Sequence, residues 1–201
     1  MENMVEARDT TAVSNAPATP RELAELLIRP LGDRWLHVCE VAAKAAGYAS
    51  VLADAGDRAD LLSAAWLHDV GYAGVAKECG FHPADGALFL EPYVSRRVCA
   101  LVAMHSGAAY EARARGLKHV LAGYSRERSR VADLLDYCDL TTGPRGQTLT
   151  VERRVDDVLS RYGEDHVVSV SLRAALPGLR KAIRRAQLML VLAGWDPSAL
   201  P

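Results

Sequence analysis

The chain has 201 residues and six histidines, of which His37, His68, His82 and His105 lie close together in sequence. His68 is followed directly by Asp69. Imidazole and carboxylate donors gathered in one place suit iron, manganese, cobalt, nickel or zinc. Neighbours on a regular helix point about 100° apart. His68 and Asp69 can therefore share an ion only at a helix end, or with the carboxylate bridging two ions. Cys39, Cys79, Cys99 and Cys138 form no CxxC pair, which argues against a structural zinc site and reads as reduced thiols. No nucleophile elbow and no phosphate-binding P-loop is present, so a covalent serine mechanism and an NTP-binding fold are both disfavoured.

Such ligands must be projected inward from several facing helices. Helical periodicity indeed dominates from Pro20 onward. A short amphipathic helix is expected over 21–29. A long one follows, capped by Asp33 and running to about Ala53, with Trp35, Val38, Val41, Ala42 and Ala45 as its buried stripe. A third runs from Arg58 to about Val70, with His68-Asp69 in its last turn and Gly71 as the stop. His82-Pro83 opens a helix to about Phe89, and 95–105 forms another that ends at Ser106-Gly107. Helices are further expected over 108–116 and 129–140, and for about eleven residues after Thr150. The last two are expected over 167–176, stopped by Pro177-Gly178, and over 179–192. Strand signals are nearly absent. The expected fold class is all-α, a single helical bundle over 20–201 preceded by a flexible tail over 1–19.

Half of the residues are hydrophobic and the formal net charge is −1. That composition suits a globular chain and disfavours a protein that coats nucleic acid or a membrane surface. No signal peptide is expected, and no apolar run approaches the ~20 residues of a membrane span. The reading is a cytoplasmic protein. Its Leu- and Val-rich final helix offers a face for a homodimer.

The pattern His37, His68-Asp69 and Asp139 resembles the H…HD…D signature of the HD-domain superfamily. The segments Gly-Phe-His-Pro-Ala-Asp-Gly-Ala (80–87), Met-His-Ser-Gly-Ala (104–108) and Tyr-Cys-Asp-Leu-Thr-Thr-Gly-Pro (137–144) resemble those of small bacterial HD proteins. The resemblance covers roughly residues 21–146. It implies a helical, metal-dependent enzyme, most often a phosphohydrolase. His82 and His105 stand where two-ion branches of the family carry additional ligands. The resemblance thus implies one ion held by His37, His68, Asp69 and Asp139, with Asp69 bridging to a second held by His82 and His105. One ion or two, and manganese, iron, cobalt, nickel, magnesium or zinc, remain open. Asp133, Asp136 and Asp139 recur every three residues, and Val-Ala-Asp at 131–133 also fits the family pattern. Asp139 is favoured for its place at the helix end, and Asp136 is read as an orienting residue.

The function implied is hydrolysis of a small phosphate ester, with a nucleotide favoured, by a metal-activated hydroxide that Asp69 and His68 position. Arg34 lies one turn before His37 and suits a phosphate, and Thr142 and Arg145 would line the same pocket. The other arginine-rich runs, among them 113–115, read as solvated, and His119 and His166 read as surface residues. Two alternatives share this ligand set. One is a mixed-valent di-iron oxygenase of the HD type, and the other is a non-catalytic nucleotide-binding module.

Overall fold

The computed structural model describes residues 19–201, so the expected tail lies outside the described residues except for its last position. That residue, Thr19, caps α1 (Pro20–Ile28). Its hydroxyl accepts the Glu22 N–H, and the Glu22 carboxylate accepts the Thr19 N–H in return. The chain continues through α2 (Asp33–Tyr48), α3 (Ala55–Leu67), α4 (His82–Leu90), α5 (Arg96–Met104) and α6 (Ala108–Ala114). It ends with α7 (Arg130–Leu140), α8 (Val151–Tyr162) and α9 (Val167–Leu192). Short 3-10 turns join several of them. A lone antiparallel bridge between Thr142 and Thr148 is the nearest approach to a sheet among the described residues. The all-α expectation holds.

The bundle is built around α7, on which every residue from Val131 to Leu140 is buried. A helix buried all round must be covered on all sides. Here α2, α3 and α9 supply that cover. Around this centre α1 and α5 pack on α3, α4 packs on α5, and α6 and α8 pack on α9. Leu61, Leu67, Leu134, Leu135, Tyr137, Leu179 and Leu190 are among the largest fully buried side chains. Trp35 and Trp66 stack at 5.9 Å between ring centroids and only partly enter this core.

Three local expectations change. Asp33 is the first helical residue and not the cap, because Gly32 at φ 62° turns the chain into α2. That helix ends at Tyr48 and tightens into a 3-10 turn over Ala49–Val51. The largest revision is at the C-terminus. Pro177-Gly178 does not stop a helix, and α9 runs unbroken for 26 residues with Pro177 inside it. Proline removes one backbone N–H and crowds the preceding turn. Its side is exposed, however, while Ala175, Leu176, Leu179, Ala182, Ile183 and Ala186 are buried along the opposite stripe. Burial of that stripe outweighs the local preference.

Replacing Pro177 by Ala restores a main-chain donor to a continuous helix. We expect Pro177→Ala to raise stability by about 1–3 kcal/mol in a denaturant titration. No change, or a loss, would indicate two helices joined at this point.

Candidate metal centre

His68 is the residue immediately after α3, and Asp69 follows in a turn with φ −104° and ψ 6°. The pair thus lies just beyond the helix and not in its last turn. Leaving helical geometry lets both side chains face the same space, with His68 Nε2 3.4 Å from Asp69 Oδ2. Gly71 is not the stop either. A Cβ there would sit 2.0 Å from the His82 carbonyl oxygen and 2.6 Å from the Gly86 nitrogen. Glycine is required because α4 presses its first turn against this loop, which carries His82 to Asp69.

Around Asp69, which is 2 % exposed, the ligand candidates converge. His37 Nε2 lies 3.8 Å and His82 Nε2 3.5 Å from its carboxylate, and Arg34 donates to it at 2.9 Å. His37 Nε2 also lies 3.1 Å from Asp139 Oδ1. His105 joins from beyond α5, its ring 5.3 Å from that of His68 and 5.4 Å from that of His82. Two groups of three donors meet metal-ligand spacing: His37, His68 and Asp69, and then Asp69, His82 and His105. Asp69 belongs to both.

Backbone carbonyls set the rings. His37 Nδ1 donates to Gly143 O at 3.1 Å, His68 Nδ1 to Ala65 O at 2.9 Å and His105 Nδ1 to Val102 O at 2.6 Å. With Nδ1 protonated and engaged, each Nε2 is left with a lone pair toward the centre. The Nε2 atoms of His37 and His68 face each other at 3.3 Å. Two lone pairs so placed need a cation between them or a proton on one. The donor set therefore fits a divalent ion, and these residues could hold one or two.

The electrostatics show the same demand for positive charge, which a proton on His68 can meet in place of a metal ion. Burial is the largest influence on the His68 imidazole and would lower its pKa, but the charge and hydrogen bond of Asp69, with Asp139 and the Ala65 carbonyl, together outweigh it and push the pKa up to about 9. Burial would raise the Asp69 carboxyl, yet His68 and Arg34 hold it well below the usual carboxylate range. Burial lowers His82 to about 3, leaving it neutral, the form that binds metal. Its ring stacks on Tyr72 at 4.1 Å, and the Arg34 guanidinium sits over the same tyrosine at 4.2 Å.

The three acidic residues of α7 have separate surroundings. Asp133 takes two hydrogen bonds of 2.6 Å from Arg185 on α9. Asp136 accepts from Arg126 at 2.5 Å and from the Ser106 N–H at 2.7 Å. Asp139 alone faces His37, and it also accepts the Ser106 hydroxyl. Ser106 holds φ 46° and ψ 33°, a left-handed conformation uncommon outside glycine. Asp136 and Asp139 pin it on either side. The loop clamp on α4 is analogous: buried Asp85 accepts the Cys79 and Gly80 N–H groups at 2.8 and 2.9 Å. This clamp holds the entry to His82.

Not every expected residue reaches the centre. Thr142 is fully buried, its hydroxyl donating to Cys138 O and accepting from Lys44 at 3.1 Å. It is not among the residues that line the cavity. Arg145 pairs with Asp33 at 3.0 Å on the surface, outside the cavity. Arg34 does line the cavity, though tied to Asp69.

Above the ligands lies a cavity of about 390 Å³, lined in part by Asp69, His82, His105 and Asp139. Lys77, Arg115, Arg154 and Arg161 also line it, and so does His166. Arg115 and His166 are exposed, as the sequence suggests, and also border the cavity, whereas Arg154 and Arg161 carry no signal of their own in the sequence. One sign was present: positions 154, 158 and 161 share a face of α8, and all three line the cavity.

The chain matches the family model of the HD domain over residues 34–141, more than half its length, and it belongs to that family. HD domains bind divalent metals, and their superfamily is one of metal-dependent phosphohydrolases. None of the curated proteins and none of the solved structures compared with the chain matches it. No helix among the described residues is long and apolar enough to cross a membrane.

Two substitutions probe the scaffold of the centre. Gly71→Ala should cost about 2 kcal/mol or more, because its Cβ collides with backbone that cannot move independently. Thermal melting with and without added metal would show both the loss and weakened binding. Arg126→Ala leaves the buried Asp136 carboxylate without its cation and should cost about 2–3 kcal/mol at pH 7. Burial already raises Asp136 above its ordinary value, and removing Arg126 raises it further. The folded state then binds more protons than the unfolded one, so the deficit should shrink as pH falls through the carboxylate range. Denaturation curves at pH 7 and pH 5 would check the sign.

Proposed function

We propose that the chain hydrolyses a small phosphate ester, with a nucleotide as the favoured class. One observation carries the reading: two three-donor groups share Asp69 at the base of a cavity whose walls hold Arg34, Lys77, Arg115, Arg154 and Arg161. A cluster of cations above carboxylates and imidazoles suits an anionic substrate over bound metal.

In this reading His37, His68, Asp69 and Asp139 would hold one ion, and Asp69, His82 and His105 the second. Bound there, the ions would lower the pKa of water toward neutrality and offset charge on the phosphoryl oxygens. The protein's own part is positioning. Arg34, held between Asp69 and the face of Tyr72, presents a planar donor set at the cavity wall for phosphoryl oxygens. The three Nδ1–carbonyl bonds keep the imidazoles in one tautomer, so substrate entry does not reorganise them. Phe81, Leu140, Val158 and Leu172 line the same cavity and exclude water from one side of it. The carbon body of a small ester can rest there.

The test joins metal content to turnover. Protein purified anaerobically should carry one or two divalent ions per chain and release phosphate from a panel of nucleotides and other phosphomonoesters. Asp69→Ala should lose most of that metal and at least about 100-fold in rate, more than a supporting residue accounts for. Its circular dichroism should be unchanged. Full metal and full turnover in this variant would sink the assignment. Two irons with an oxygen-sensitive mixed-valent Mössbauer signal, and no phosphate release, would instead place the chain with the di-iron oxygenases that share this ligand set.

A further inference from the structure

Resting on the phosphohydrolase reading, we infer that α8 carries a second anion subsite. There Arg154 and Arg161 hold a negatively charged group of the substrate, distal to the phosphate that is cleaved. The substrate class this defines is a small phosphomonoester bearing a second oxyanion, either another phosphate or a carboxylate.

Arg154 is the main reason. Its side chain is 12 % exposed, and its Nε is buried without a hydrogen-bond partner. Buried guanidinium donors are seldom left unsatisfied, so Arg154, a residue of the cavity wall, has hydrogen-bonding capacity that the protein itself does not use. The contact it does make is weak in this respect. Nη1 reaches Asp157 Oδ2 at 3.1 Å, while Nε and Nη2 of Arg161 reach the same oxygen at 3.2 and 2.8 Å. Two guanidiniums share one carboxylate, so the pair keeps a positive excess.

Placement supplies the second reason. Arg154 and Arg161 line the cavity whose floor is Asp69, His82, His105 and Asp139. They come from α8, beyond the segment that matches the HD domain, so the cavity has a metal-ligand end and a separate cationic wall. Val158, between them on the same face, is buried and gives the wall an apolar middle. A ligand with one charge at each end and carbon between suits that order. The other acidic side chain lining the cavity, Glu111, is already paired with Arg115 at 2.7 Å. It therefore does little to cancel the charge of Arg154. A guanidinium presents paired donors in a plane, which matches the oxygens of phosphate or carboxylate.

The experiment uses full-length, metal-loaded protein and matched substrates: adenosine 3′,5′-bisphosphate, adenosine 5′-monophosphate and 2-phosphoglycolate. The wild type should favour at least one doubly anionic compound over the monophosphate by about tenfold or more in kcat/KM. The bisphosphate and phosphoglycolate arms separate phosphate from carboxylate as the distal group. Arg154→Gln should erase that preference, mainly through KM, and Arg154→Lys should restore it only in part. Arg161→Gln should act in the same direction and carries the test if the Arg154→Gln protein does not fold. Calorimetry with inorganic pyrophosphate provides a readout independent of turnover, in which Arg154→Gln should weaken binding about tenfold. If no compound releases phosphate but this weakening persists, the hydrolase reading fails and the subsite stands. Equal pyrophosphate affinity and an unchanged substrate preference in both glutamine variants would overturn the subsite.

Discussion

A buried carboxylate dictates the centre of this molecule. Asp69 is 2 % exposed, and an isolated ion so far from water would be costly to keep. It stays ionised because Arg34 lies at 2.9 Å and because imidazoles from three other positions surround it. Those partners arrive on different elements. Arg34 and His37 come from α2, His68 from the end of α3 and His82 from the start of α4. Satisfying one carboxylate therefore ties three helices to a common point, and the packing of the rest must respect it.

The surrounding structure mostly serves orientation. Main-chain carbonyls, not side chains, hold Nδ1 of His37, His68 and His105. That choice links ring orientation to helix ends, the places where carbonyls lack intrahelical partners. Asp85 and Asp136 do similar work for loops, gripping the N–H groups of residues 79 and 80 and of Ser106. Further out, α9 presses on the loop after α5. A Cβ on Gly107 would lie 2.6 Å from that of Ala175. An unbroken α9 thus backs the loop that holds His105, which is a reason for the helix to pass through Pro177.

The cavity divides along the chain. The segment matched to the HD domain brings the metal-ligand candidates, whereas α8 and the start of α9 form part of the facing wall. Arg154, Val158 and Arg161 belong to the wall, on the one helix α8.

The resemblance to the HD family grouped four histidines with Asp69, while residue types and helical spacing alone determined the all-helical class and most helix starts. These are local properties: Thr19, Asp54, Ser95, Ser129 and Thr150 each accept a hydrogen bond from an N–H in the first turn that follows them. A cap or an apolar stripe needs only its neighbours in sequence. Tertiary structure decided the rest. Which of three evenly spaced aspartates faces His37 depends on Arg185 and Arg126, distant residues that engage the other two. Thr142 and Arg145 follow Asp139 closely in sequence yet point elsewhere, because Lys44 and Asp33 claim them. Pro177 looked like a stop because a local rule says so, and the buried stripe of α9 overrode it. Arg154 and Arg161 carry no signal of their own in the sequence, and only the packing of α8 brings them to the cavity. Local preference is written in adjacent residues, but the partner of a charge is chosen by packing between segments far apart in the chain.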